Sequence, residues 1–292
     1  MTTLHQARKR HITVYDVKRF IGRTLLYIFL IFGAIVCLLP LYWLVRSSLM
    51  KQSQIFQMRP IQWIPKPFKW SNYPEALSEL PFSIYFRNTA FITLFNVLGT
   101  TLTSSICAYS FARLRWKGRE LVFACVMSSM MLPFAVTLIP TFIGWQKLGF
   151  YGTFVPLMVP TWFGGGAFNI FLLRQFYKSL PKDLDEAALV DGASYLRIWA
   201  QICVPLSKPA MITVGLFAFI YNWNDFFGPL IYLTNEKNYT VGLGLQLFQG
   251  MYNARWDYLM APAATVFAPC LLIFIIGQNY FIEGIALTGI KG

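Results

Sequence analysis

The run Leu25-Leu-Tyr-Ile-Phe-Leu-Ile-Phe-Gly-Ala-Ile-Val-Cys-Leu-Leu-Pro-Leu-Tyr-Trp-Leu-Val-Arg-Ser-Ser-Leu49 decides the class of fold. Its one charged residue, Arg46, lies near the end. A helix needs ~20 mostly apolar residues to cross the hydrocarbon of a bilayer, so this stretch is long enough to span. Five further runs of the same kind follow, at about residues 85–112, 121–145, 153–176, 210–233 and 262–282. Across all 292 residues, 56% are hydrophobic and 13% charged. Mean hydropathy is +0.51. An ordinary soluble domain carries roughly 25% charged residues, so this chain lacks the polar surface to cover a water-soluble fold. Its apolar content also excludes disorder in water. The expected fold class is all-α: a polytopic membrane protein with six transmembrane helices in a single domain, 1–292.

Cysteine and histidine placement removes several chemistries. Cys37, Cys107, Cys125, Cys203 and Cys270 are widely spaced with no C-x-x-C, which points to neither a zinc site nor a disulfide framework. Both histidines, His5 and His11, fall in the polar N-terminal tail. No metal site and no histidine-based catalytic residue is expected in the membrane. No G-x-x-x-x-G-K-[ST] occurs, so the chain cannot cradle ATP by a P-loop. Asp225 is the only obvious acid inside the six cores, whereas ion-coupled carriers more often show several intramembrane ionisable groups.

The formal net charge of +13 is explained by topology. With the N-terminus cytoplasmic, 16 of the 25 Lys and Arg fall on that side, the orientation that the positive-inside rule selects. The parts are then a basic cytoplasmic tail (1–24), four spans (25–176), a cytoplasmic segment (177–209), two spans (210–283) and a cytoplasmic tail (284–292). The first apolar run is too long for a cleavable signal peptide, and no small-residue cleavage site follows it. No nucleic-acid partner is inferred from the basic tail.

Helix breakers interrupt several spans: Pro133 and Pro140 in the third, and Pro156, Pro160 and Gly164-Gly165-Gly166 in the fourth. Either they kink a packed bundle, or they mark a pathway between helices. The segment between the fourth and fifth spans reads as a short helix, a sharp turn and a second helix from Tyr195 to Cys203. Ser179 or Asp183 suits its helix start, with Pro181 in the first turn. Asp183, Asp185 and Glu186 favour a helix N-terminus. Leu184, Ala187 and Ala188 form one apolar stripe, and Asp191-Gly192 ends the helix. Physics alone leaves two roles open, packing on its own bundle or docking to a partner.

Glu186-Ala187-Ala188-x-x-Asp191-Gly192-Ala193, followed by Ile202-x-x-Pro205-Leu206-x-x-Pro209, resembles the EAA loop of ABC importer permeases, and more closely the sugar-importer permeases of the maltose-transporter type. Trp223-Asn224-Asp225-Phe226 with Pro229-Leu230, and the tail Gly284-x-x-x-x-Gly289-x-Lys291-Gly292, agree with that branch. The resemblance covers roughly residues 20–292. It implies a type I importer permease fold in a bacterial inner membrane, both termini cytoplasmic. It implies that Glu186, Ala187, Ala188, Asp191, Gly192 and Pro205 couple to a cytoplasmic ATPase. The implied partners are a second, homologous permease (a heterodimer), two P-loop ATPase subunits and an external solute-binding protein. The implied cargo is a saccharide, an oligosaccharide either neutral or acidic. No cofactor is expected on this chain, which is not an enzyme; ATP and Mg belong to the partner ATPases.

Two regions are candidate cargo contacts. Tyr221, Asn222, Trp223, Asn224 and Asp225 in the fifth span serve either helix-to-helix hydrogen bonds or the substrate path. The outer loop 238–258, with Gly242, Gly244, Gln246, Gln249, Gly250, Tyr252, Asn253 and Trp256, reads as a glycine-flexible connector or as a loop reaching the binding protein. The Trp- and Pro-rich segment 51–82 suits anchoring at the headgroups or docking. The rival readings are a secondary carrier or channel that does not use ATP, and a membrane-embedded enzyme.

Overall fold

The computed structural model describes residues 14–57, 60–251 and 255–289, the side chains of 14, 16, 17, 249–251 and 280–289 excepted. The described residues are mostly helical, with no strand among them. In chain order the helices are α1 (Val14–Ser48), α2 (Gln52–Ile55), α3 (Asn72–Glu79), α4 (Phe82–Arg113), α5 (Arg119–Ser129), α6 (Phe134–Lys147), α7 (Val155–Met158) and α8 (Ala167–Ser179). They continue as α9 (Asp183–Val190), α10 (Tyr195–Ile198), α11 (Val204–Leu206), α12 (Lys208–Trp223), α13 (Phe227–Tyr232), α14 (Val241–Met251) and α15 (Trp256–Gly289). Four stretches are long and apolar enough to cross a membrane: 18–48, 82–113, 155–179 and 256–279. Two bent pairs bring the number to six if each is one span.

The breaks in the third and fourth spans fall at their helix breakers, and the fifth span corrects the expectation of one continuous helix. α5 and α6 meet at 98°. Pro133 sits at the junction with extended backbone, because proline donates no N–H and disfavours helix in the residue before it. The fourth span is α7, a 3-10 turn over Val159–Trp162, a glycine turn and α8. The fifth stops at Trp223 and resumes as α13, and α12 meets the 195–206 segment at 83°. The sixth helix is longer than expected, running Trp256–Gly289. The outer connector is not a loop, since α14 fills much of it. Its glycines serve contact rather than flexibility: a Cβ on Gly244 would lie 2.5 Å from the Tyr85 ring.

α4 is the centre of the bundle, packed on α8 and α12, with α12 on α15. Its two faces invert the soluble pattern. Asn88, Thr89, Thr93, Asn96, Thr100, Ser104 and Ser105 are buried, while Phe91, Leu94, Leu98, Leu102 and Ile106 are exposed. Apolar side chains face lipid at no loss there, and small polar ones let helices approach and bond. α1 lies at the margin against α15, its side chains exposed from Lys18 to Pro40.

Each end of the bundle has its own cluster. At one, Tyr177 is fully buried; its hydroxyl lies 2.6 Å from Ser105 Oγ, which also accepts from Trp199 Nε1 at 2.9 Å. At the other, Asn88 donates to the carbonyls of Lys237 and Tyr239, and Thr89 Oγ1 accepts from Val241 N–H. There α3 is pinned to α15: Tyr258 donates its hydroxyl to Glu75 at 2.8 Å and Lys69 pairs with the same oxygen at 3.3 Å.

The Tyr258 hydroxyl, then Ser71 and Lys69, hold the Glu75 carboxyl below its ordinary value of 4.5. A depressed carboxylate contributes stability above its unfolded value and loses it as pH falls through the folded one. Tyr258→Phe is therefore expected to lower the detergent melting temperature at pH 7, and the gap to wild type to narrow below pH 4.5. A gap independent of pH would break the assignment of that bond to an ionised Glu75.

Candidate functional site

The broken fourth span opens a cavity of about 650 Å³ between α4, α8 and α12. Gly164, Gly165 and Gly166 all have positive φ (+96°, +67° and +92°), a conformation that L side chains rarely adopt. A Cβ on Gly165 would also collide with the Thr100 carbonyl of α4. The carbonyls freed by the break find side chains. Asn96 donates to Leu157 O at 2.9 Å, Thr103 to Thr161 O at 3.2 Å, and Asn169 to Gly165 O at 2.8 Å. Asn96 also bonds Asn222 Oδ1 at 2.5 Å and accepts from Thr161 at 3.1 Å. One amide thus joins α4, the broken span and α12 beside the cavity. Its walls pair aromatic faces (Phe168, Phe217, Tyr221) with polar groups (Thr161, Asn169, Asn222).

The second feature is α9, which stands out at the Arg113–Glu120 end of the bundle. Its N-cap position is Lys182, and no side chain caps it, so neither Ser179 nor Asp183 takes the expected role. Asp183, Asp185 and Glu186 do occupy the first turn, favourable to the helix dipole. The helix closes as a Schellman turn: Gly192 N–H to Leu189 O at 3.0 Å and Ala193 N–H to Ala188 O at 2.9 Å, with Gly192 at φ +80°. Ser194 then caps α10 by accepting from Arg197 N–H. Of the expected stripe only Ala188 packs on the core; Leu184 and Ala187 are exposed. Glu186, Ala187, Leu189 and Val190 form an open surface, Val190 being 88% exposed. A cleft of about 1010 Å³ separates α9 from the 113–121 turn. Burial pushes the Asp185 carboxyl up, and Arg113 draws it partly back.

A family model described as binding-protein-dependent transport system inner membrane component matches residues 100–286, which contain both features. The chain belongs to this family of ABC importer permeases. The permease is 30% identical to the probable ABC transporter permease protein YurM of Bacillus subtilis, over 97% of this chain and 94% of that one. It is 32% identical to the trehalose/maltose transport system permease protein MalG of Thermococcus litoralis, over 92% and 97% of the two chains. In fold it matches a chain of a bacterial ABC transporter involved in the import of the acidic polysaccharide alginate, with TM-score 0.77 at 24% identity, covering 94% of this chain and 100% of that one. The family resemblance read from the EAA-like segment and the spans is borne out.

The permease brings together only part of the fifth-span cluster. Tyr221 and Asn222 line the cavity. Trp223 is buried away from it, stacked on Phe219 and donating to Val266 O at 3.0 Å. Asn224 bonds back to Ile220 O, and Asp225 accepts from Gly228 N–H at the start of α13. Gln246 is exposed on α14, Gln249 and Gly250 are placed by backbone alone, and Tyr252 and Asn253 lie outside the described residues. Pro205 is exposed within α11. Asn96, Thr161, Phe168, Asn169 and Phe217 were absent from the sequence reading. The legible signal was Asn96 itself, an amide amid an apolar run, where a polar group must find a partner.

Gly165→Ala is expected to destabilise the permease by about 1–3 kcal/mol, the range for a residue forced into a disfavoured backbone region, and more if α4 must shift. Gly33→Ala, with nothing within 4 Å, is the control. Thermal melting of the purified protein checks the pair; equal melting temperatures would mean that the glycine turn is not held against α4.

Proposed function

We propose that this chain is the saccharide-carrying permease half of a binding-protein-dependent ABC importer, set in a bacterial inner membrane with both termini cytoplasmic. A second, homologous permease, two P-loop ATPase subunits and an external binding protein complete the assembly. The single observation that carries this reading is α9: a short exposed helix, closed by a left-handed Gly192, projecting from one end of a membrane bundle within a chain of this family. Glu186, Ala187, Ala188, Asp191, Gly192 and Pro205 present the coupling surface. The small, exposed side chain at 187 leaves room for close approach of another subunit, while Ala188 packs toward the bundle. ATP and Mg are held by the ATPase partners, and this chain performs no hydrolytic step.

The cargo reading rests on the cavity. Saccharides pack their C–H faces on aromatic rings and spend their hydroxyls on amides and hydroxyls, and Phe168, Phe217, Tyr221, Thr161, Asn169 and Asn222 supply both. A relative that carries trehalose and maltose and a fold neighbour that imports alginate support a saccharide. Transport proceeds by alternating access: closure of the ATPases moves α9, the bundle opens outward, and the binding protein delivers its sugar to the cavity. Gln246, Gln249 and Gly250 of α14, with Tyr252 and Asn253, are the residues proposed to meet the binding protein.

The test is purification in mild detergent with identification of what comes along. A P-loop ATPase and a second six-span protein are expected, and both Glu186→Lys and Gly192→Asp should reduce recovery of the ATPase at unchanged permease levels. In the reconstituted assembly Gly192→Asp is expected to leave ATP hydrolysis running and to abolish uptake. A permease that purifies alone under every mild condition, or normal uptake by Gly192→Asp, would overturn the reading in favour of a carrier that does not use ATP.

A further inference from the structure

α9 is joined by the chain to α8 on one side and to the 195–206 segment on the other. It has no covalent link to α4, the helix that carries Asn96 and one wall of the cavity. Arg113, the last residue of α4, supplies a non-covalent one. Its Nη2 donates to Leu180 O at 3.0 Å and to Pro181 O at 3.3 Å, the two residues that lead into α9. Its Nε lies 3.5 Å from Asp185 Oδ2 in the first turn of α9. The guanidinium side chain is only 4% exposed and that of Asp185 17%, so solvent screens the pair little. A planar guanidinium holds several acceptors in a fixed fork, which a flexible ammonium does not.

The link is answered from the other side. Arg174 of α8 donates through Nε to Phe111 O of α4 at 3.4 Å and through Nη2 to Glu120 of α5 at 3.1 Å, its guanidinium 3.9 Å over Phe123. Each arginine thus grips the terminal backbone of the other's helix. The end of α4, the end of α8 and the start of α9 form one body. From Arg113, α4 runs about 26 Å, at 1.5 Å per residue, to Asn96. There the amide holds Asn222 and the Leu157 carbonyl at the cavity.

We propose that Arg113 is a positioning residue that makes α4 move with the coupling helix, so that displacement of α9 reaches the cavity through α4 as well as through α8 and α12. The inference rests on the importer reading of α9. It differs from it in naming which helix receives the motion.

The test uses the assembled transporter in liposomes. Native cysteines are replaced and spin labels placed on exposed positions of α9 and α4 (Val190→Cys and Ile106→Cys). The interlabel distance is read by pulsed electron resonance at rest and with ATP trapped by vanadate. In the wild-type background the distance is expected to stay the same in both states. With Arg113→Gln it should shift by about 2 Å or more on trapping, the scale of helix displacements in such transitions. Asp185→Asn, which keeps both carbonyl bonds, should give a smaller shift, and Arg113→Lys should not restore the wild-type result. A distance that changes on trapping without the Arg113 variant, or an Arg113→Gln protein that behaves as wild type, overturns the proposal and leaves the importer reading standing. A complex that traps no nucleotide overturns the importer reading, and this inference with it.

Discussion

Everything in this bundle depends on where backbone carbonyls find donors when helices are broken inside a membrane. Hydrocarbon offers none, and an unsatisfied group there is worth several kcal/mol of destabilisation. The fourth span is broken between Trp162 and Ala167, yet three of its carbonyls are met by Asn96, Thr103 and Asn169. Two of those donors come from α4. The broken span is therefore possible only beside a helix whose buried face is polar, and α4 has such a face along most of its length. The cavity follows directly, since a glycine turn without side chains leaves space that a regular helix would fill.

The same constraint explains what could be read from residues alone. Membrane class, helical fold and the ABC permease family followed from apolar run lengths and from the Glu186–Ala193 segment, because run length and local turn chemistry are encoded locally. The helix end at Asp191-Gly192 was legible for that reason. Burial was not. In water, apolar periodicity marks the core face; in lipid, Leu94, Leu98 and Leu102 face outward while Thr93 and Thr100 face inward, so the usual signal inverts and fades. Gly242 and Gly244 were misread as flexibility because a helical glycine and a loop glycine look alike until the neighbour is known, here Asp225 and Phe226 for one and Tyr85 for the other. Trp223 drew attention as an aromatic in a polar run, but its indole is used within the bundle.

The two ends of the molecule are tied together by different sets of helices. The end near α9 is held by buried arginines that reach backbone carbonyls. The other end is held by neutral amide and hydroxyl contacts from α4, Asn88 and Thr89, by the buried Arg46 donating to Gln62 O at 2.6 Å, by Lys69 on Glu75, and by Arg255 on the buried Asp257. The exposed Lys69–Glu75 pair contributes little stability, typically about 0–1 kcal/mol, beside the packing of Phe82, Tyr85 and Phe248. At the first end the arginine bonds join α4 to α8 and to the start of α9; at the second, Arg46 joins α1 to the 60–70 segment.

That asymmetry bears on how such a bundle can move without losing its fold. α4 is continuous over 32 residues and is anchored at both ends and at its middle. α12 is interrupted on both sides, by the 83° bend after Leu206 and by the break after Trp223, and it carries Tyr221 and Asn222. A helix with joints at each end can tilt while its internal hydrogen bonds remain intact; a helix anchored along its length moves as one piece. Between them lies the cavity, and the bond from Asn96 to Asn222 bridges the two helices beside it. Relative motion of α4 and α12 strains or releases that bond before it disturbs either helix. A single amide pair thus sits where a continuous helix meets an interrupted one.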